Sequence, residues 1–312
     1  MRMRLAVAVS LIGAAGSAAS ASFLMITDSG VGDRVMLFSA VDGSVVDLNW
    51  ITDLGAPFTF TTPKEALRVG NEIWVSDQVV DAIHRFDLDR NFLGSVTAHP
   101  NGGVLDNLRG MGFDGSKVYL SVFPSTQANR GVAVFDMAGN PASFFSTGNT
   151  VSTFDAEPFQ GDLLITNSTT NNLERWSTSG AFLGAFATGI VFPQQVSRLD
   201  DGSVLVVSSI STPGVEGVYH FNADGSLRTY IDTEVAKQAF GELVPRGAYL
   251  LDDGNYLVTA SNGVYKTVGA GPNYTFTQIV SGVDAQYVNL IPAPGAGLVM
   301  GLGVLASARR RR

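Results

Sequence analysis

Residues 195–231 read QVSRLDDGSVLVVSSISTPGVEGVYHFNADGSLRTYI. Four short runs rich in β-branched and aromatic residues, QVSRL, VLVVSS, VYHF and LRTYI, are separated by Asp201-Gly202, a Ser/Thr/Pro/Gly loop and Asp224-Gly225. Asp-Gly between such runs signals a hairpin, because glycine accepts a positive φ without a Cβ clash. The stretch therefore predicts a four-stranded antiparallel sheet.

The rest of the chain repeats this unit. An apolar pair followed by a hydroxyl recurs as LMITDS, IWVSDQ, VYLSVF, LLITNS, LVVSSI and YLVTAS, with the hydroxyl at Thr27, Ser76, Ser121, Thr166, Ser208 and Thr259. The copies lie 42 to 51 residues apart, which is the period of a propeller blade. Each is followed by a run ending at Phe38, Phe86, Phe135, Trp176, Phe221 or Thr267, and this aromatic row is expected to pack between blades. A five-residue frame supplies the first strand of each unit: EALRV (65–69), RGMGF (109–113), DAEPF (155–159), QVSRL (195–199), RGAYL (246–250) and QYVNL (286–290). The first unit lacks this frame and the last frame stands alone, so the C-terminal strand is predicted to complete the N-terminal blade. Such closure removes a free sheet edge. The expectation is an all-β, six-bladed propeller over 22–291.

Composition agrees with that class. Only 15% of the 312 residues are charged, 35 are glycine, and cysteine is absent, so no disulfide staples the fold. The start of the chain pairs Arg2 and Arg4 with an apolar run over 5–15 and Ala19-Ser20-Ala21, the pattern of a signal peptide over 1–21. Beyond 291 come Pro292-Ala293-Pro294, an apolar stretch of about 14 residues and Arg309 to Arg312, shorter than the ~20 residues of a full helical span. With the six arginines of these two ends set aside, 14 basic residues face 28 acidic ones. That surface disfavours nucleic acid and anionic membranes as partners.

The C-terminal 21 residues (292–312) resemble the bacterial PEP-CTERM sorting signal in its Pro-Ala-Pro variant, with Ala293 where Glu is usual. The resemblance implies export, transient membrane association through the C-terminal span, processing by an exosortase-type enzyme, and residence at the cell surface or matrix of a Gram-negative-type bacterium. The blade units more loosely resemble NHL-type and gluconolactonase-like six-bladed propellers, the latter of which hold a catalytic divalent cation on the axis.

In a propeller the start of strand one lies beside the end of strand two at one mouth of the axial channel. The frames thus predict a polar ring of Glu65, Arg109, Asp155, Gln195, Arg246 and Gln286 there. The long loops 123–130, 167–172 and 210–217 are expected on the same side. Glu65, Asp155, Asp28, Asp77 and Asn167 offer the hard oxygen ligands that Ca²⁺ takes, while Arg109 and Arg246 suit a carboxylate and would oppose a cation. The three histidines, His84, His99 and His220, form no repeated pair, and no nucleophile elbow or phosphate loop occurs. Asp87-x-Asp89-x-Asn91 has Phe92 where a calcium loop needs glycine, and reads as a turn. The sequence favours a non-catalytic binding or structural module for glycan, peptide or protein. The alternative is a divalent-metal-dependent hydrolase or lactonase with an axial site.

Overall fold

The computed structural model describes residues 22–291 apart from 149, 150, 211–213, 270 and 272. Their strands form six four-stranded antiparallel sheets. Blade I consists of Ala285–Ile291, Phe23–Asp28, Arg34–Ser39 and Val45–Ile51, in that spatial order. The innermost strands of blades II to VI are Pro63–Val69, Leu108–Phe113, Thr153–Phe159, Pro193–Arg198 and Pro245–Leu250. Closure is as the sequence predicts: Phe23 pairs with Ile291, Leu24 with Leu290 and Met25 with Asn289. The signal-peptide and sorting-signal segments, 1–21 and 292–312, lie outside the described residues.

Alternation along the second and third strands sends apolar side chains to both faces of each blade, and the faces of neighbouring blades pack together. Blades I and II meet through Met25, Val35, Ile73, Val75 and Phe86. Blades II and III meet through Trp74, Ile83, Met111, Leu120 and Phe135. The four other junctions carry equivalent clusters. The predicted aromatic row is the repeating part of these junctions: Phe38, Phe86, Phe135, Trp176 and Phe221 are all buried. Burial of each such ring contributes about 1.5–3 kcal/mol.

The turns between third and fourth strands are built from local capping. In blade II, Asn91 donates its N–H and its side-chain amide to the two carboxylate oxygens of Asp87, each at 2.8 Å. In blade III, Asn140 does the same to Asp136. Asp87-x-Asp89-x-Asn91 is therefore a turn, as read from the sequence.

One element escaped the sequence reading. The connection from blade V to blade VI contains the helix Glu234–Phe240, tied down where Lys237 donates to the buried Glu216 carboxylate.

Every innermost strand carries an irregularity near its mouth end. Two of its residues face one residue of the second strand, as in a β-bulge. The pairs are Gln286-Tyr287, Lys64-Glu65, Arg109-Gly110, Phe154-Asp155, Gln194-Gln195 and Arg246-Gly247. This repeated bulge positions the side chains on the axis.

Candidate functional site at the axial mouth

The bulge splits the predicted ring into two layers. Nearer the mouth lie Lys64, Arg109, Phe154, Gln194, Arg246 and Gln286. One residue deeper lie Glu65, Gly110, Asp155, Gln195, Gly247 and Tyr287. Of the six predicted ring residues, Arg109, Arg246 and Gln286 belong to the mouth layer, while Glu65, Asp155 and Gln195 belong to the deeper one. The single ring read from the sequence is thus corrected. The five-residue frames were aligned on their terminal apolar residue, which places half of them one residue out of register, and a one-residue slip changes where a strand side chain points.

The deeper layer holds the blades together. Glu65 Oε2 accepts the N–H of Met111 on the next blade, and its Oε1 accepts the Asn289 side-chain amide. Asp155 accepts the N–H groups of Ala156 (2.8 Å) and of Val196 on the next blade (3.0 Å). Gln195 donates to the carbonyl of Val288 at 2.8 Å and accepts its N–H at 3.1 Å. It reaches past blade VI because Gly247 has no side chain there; a Cβ at that position would meet Gln195 Oε1. A buried N–H left without a partner costs about 1–3 kcal/mol, so these three side chains complete the innermost strands' hydrogen bonding. Burial, then repulsion from Asp155, pushes the Glu65 carboxyl well above the usual carboxylate range. Burial also pushes Asp155 up to about 7, against the pull of the Val196 and Ala156 N–H groups.

The mouth layer is cationic and crosses the axis. Lys64 donates to Gln286 Oε1 at 2.6 Å and to Gln194 Oε1 at 3.3 Å, on two other blades. Its ammonium lies 4.6 Å from the centre of the Tyr287 ring, whose hydroxyl donates to Gln194 at 3.2 Å. Burial, reinforced by Arg246 and Arg109, holds the Lys64 ammonium well below its ordinary basicity. Arg109 donates to Ser152 Oγ (3.0 Å) and the Thr153 carbonyl (2.7 Å), its guanidinium 3.9 Å from Phe154 and 4.6 Å from Phe123. Burial lowers its pKa to about 10. Arg246 approaches Asp284 only to 3.7 Å. The Nε atoms of both arginines are buried without a hydrogen-bond partner.

The second-strand ends do not face a shared ion. Asp28 accepts the N–H groups of Gly30 and Asp284 and pairs with Arg34 at 3.2 Å. Asp77 accepts four backbone N–H groups, from Thr61, Thr62, Val79 and Val80. Asn167 caps Thr169 and Thr170 through Oδ1 and donates to Glu174. With Glu65 and Asp155 committed as above, the oxygens proposed for Ca²⁺ hold turns and blade contacts. Among the described residues, no group of three or more histidine, aspartate or glutamate side chains is arranged to hold a metal. In blade V the strand-two end is Ser208, one residue before the position inferred from the repeat, and Val207 takes the hydroxyl place.

Sequence reasoning missed Lys64, Gln194 and Tyr287. The repeated hydroxyl, which faces the bulge in every blade but V, would have found Lys64 and Tyr287, whereas Gln194 faces Val207. Thr27 donates to the Lys64 carbonyl at 2.8 Å and Ser76 to the Arg109 carbonyl at 2.9 Å, each across a blade junction. Thr259 bonds the Gln286 carbonyl in the same way. On the opposite face, a cleft of about 500 Å³ lies beside Asp114, Phe159, Asp162 and Arg198. Its acids are already partnered, Asp114 with Ser116 and Tyr119 and Asp162 with Arg175, so the mouth is the stronger candidate.

No protein-family model and no curated protein sequence matches the chain. Solved structures do. A Bacteroides caccae protein of unknown function aligns at 11% identity over 87% of this chain and 99% of its own, with a TM-score of 0.57. A Bacteroides uniformis structure named as a candidate 6-phosphogluconolactonase aligns at 14% identity over 85% and 83%, with a TM-score of 0.53. A catalytically inactive virginiamycin B lyase from Staphylococcus aureus, solved with quinupristin, aligns at 10% identity over 84% and 86%, with a TM-score of 0.54. Likeness at this identity shows the fold alone: the chain is a six-bladed β-propeller.

Proposed function

We propose that this chain is an exported, surface- or matrix-associated binding or structural module whose axial mouth engages a glycan, peptide or protein without chemical turnover. The supporting observation is the division of roles on the axis. The deeper layer is committed to holding blades together, whereas the mouth layer keeps unpartnered donors at Arg109 and Arg246. Export and exosortase-type processing rest on the two terminal segments alone. The competing metal-dependent lactonase would have to take its ligand oxygens from Glu65, Asp155, Asp28, Asp77 and Asn167, and so break the turns and blade contacts they hold.

The test uses the purified full-length protein on glycan and protein arrays, beside Arg109→Gln and Arg246→Gln. The expected result is a reproducible ligand whose binding weakens in both variants. A ligand held equally well by both would move the site elsewhere. A calcium-induced thermal shift reversed by EDTA, together with turnover of a lactone, would replace this reading with the hydrolase.

A further inference from the structure

We infer that the mouth layer forms a seat for one compact oxyanion, of the kind carried by a uronic-acid or other carboxylate-bearing ligand, made by Lys64, Arg109 and Arg246. This inference deepens the binding reading above and rests on it for the identity of the larger ligand.

Three cations from three blades occupy one layer. Among the described residues, Lys64 and Arg109 have no carboxylate within ion-pair distance, and Arg246 has only the distant Asp284. Lys64 is satisfied by neutral groups, two amide oxygens and an aromatic face. Those contacts orient its amine and bring no carboxylate to it. Arg109 is 7% exposed, so its charge is held away from bulk water, and its Nε has no acceptor. The same holds for Arg246 Nε. A buried charge is ordinarily paired, and here the acids that could pair are otherwise engaged. Glu65 and Asp155 lie one layer deeper and accept N–H groups. Glu65 holds its proton well above the usual range. The one acid beside these cations, Asp284, stands 3.7 Å from Arg246 and leaves Lys64 and Arg109 without an ion-pair partner. Guanidinium groups match a carboxylate with paired N–H donors, and such charge-assisted bonds are about twice as strong as neutral ones.

The overall charge of the chain sharpens the point. The protein is strongly acidic, and its long-range field repels anions. Two buried cations, Lys64 and Arg109, and the partly exposed Arg246 gathered on the axis are a local exception to that acidic surface.

Calorimetry at fixed ionic strength and thermal shift test the seat on the full-length protein, with sodium glucuronate, the neutral methyl glucoside, and inorganic phosphate or sulfate as probes. Glucuronate is expected to bind and to raise Tm. Methyl glucoside should bind at least about tenfold more weakly, and Arg246→Gln and Arg109→Gln should each weaken glucuronate by about tenfold. Displacement of glucuronate by phosphate or sulfate would extend the class from carboxylates to oxyanions in general. Equal affinity for glucuronate and methyl glucoside would overturn the proposal, as would wild-type glucuronate binding in Arg246→Gln. Arg246 is a quarter exposed, so that variant remains decisive if Arg109→Gln fails to fold. Array ligands that bind without any dependence on negative charge would leave the module reading standing and remove the seat. Glucuronate binding with no array ligand would do the reverse.

Discussion

Lys64 and Glu65 are adjacent in the chain and do opposite jobs. Lys64 reaches across the axis to Gln194 and Gln286 and keeps its charge near the mouth. Glu65 reaches sideways to Met111 and Asn289 and joins neighbouring blades. Around the ring the same bulge sets Arg109 beside Gly110, Arg246 beside Gly247 and Gln286 beside Tyr287. A bulge delivers two consecutive side chains to the axis where a regular strand would deliver one. One of each pair can then be scaffold while its neighbour varies.

The deeper layer should be the costly one to disturb. Glu65→Ala leaves the buried Met111 N–H unpartnered and the Asn289 amide with the Ala66 carbonyl alone, and chemical denaturation should show a loss of about 2–4 kcal/mol. Glu65→Gln keeps an acceptor without a charge, and should retain most of that stability; an equal loss in both variants would mean that the carboxylate charge, not the acceptor, matters. Gly247→Ala comes next. The added methyl meets Gln195 Oε1, so the bridge to Val288 must move, at a cost of about 1–3 kcal/mol.

The pH dependence separates the layers further. Asp155 is raised to about 7 and Glu65 is raised as well, both through burial first. A group whose folded pKa is raised stabilises the fold fully below its unfolded value and loses that contribution as pH rises through the folded one. Tm should therefore fall as pH climbs from about 4 to 7, and Asp155→Asn should flatten that slope. His84, His99 and His220 act at the same time in the opposite sense, because burial lowers each of them, so their contribution is lost as pH drops below about 6.5. A slope unchanged in Asp155→Asn would assign the acid-side behaviour to other groups. The smallest stability effect is expected for Arg246→Gln, within about 0.5 kcal/mol, since that side chain is a quarter exposed and its one acid lies at 3.7 Å. A loss as large as that of Glu65→Ala would erase the distinction between the layers.

The blade count, the split first blade and the packing of Phe38, Phe86, Phe135, Trp176 and Phe221 were legible because each follows from motifs that repeat at the blade period. The layers were not. A bulge adds a residue without changing the apolar residues on either side of it, so EALRV and RGMGF look equivalent while Glu65 corresponds to Gly110. Gly110 and Gly247 read only as ordinary members of the first-strand frames. Their role is to clear space for Asp155 and Gln195, and that depends on a neighbouring blade. Blade V misled in another way: LVVSS offers two serines, and pairing with Gly217 places Ser208 at the mouth end. Helix Glu234–Phe240 lacks a hydrophobic period at seven residues, too short for periodicity to mark it.

The pairing of Phe23 with Ile291 also fixes how the domain would carry a load. Ile291 ends an innermost strand at the side away from the mouth, and its strand runs antiparallel to Phe23–Asp28. A ligand tugging at the mouth against a tether beyond Ile291 would pull Ala285–Ile291 lengthwise past its partner. The backbone bonds between the two strands then share the force in shear, and none is peeled open ahead of the others. The seam that closes the ring is set in the direction in which a sheet resists tension best.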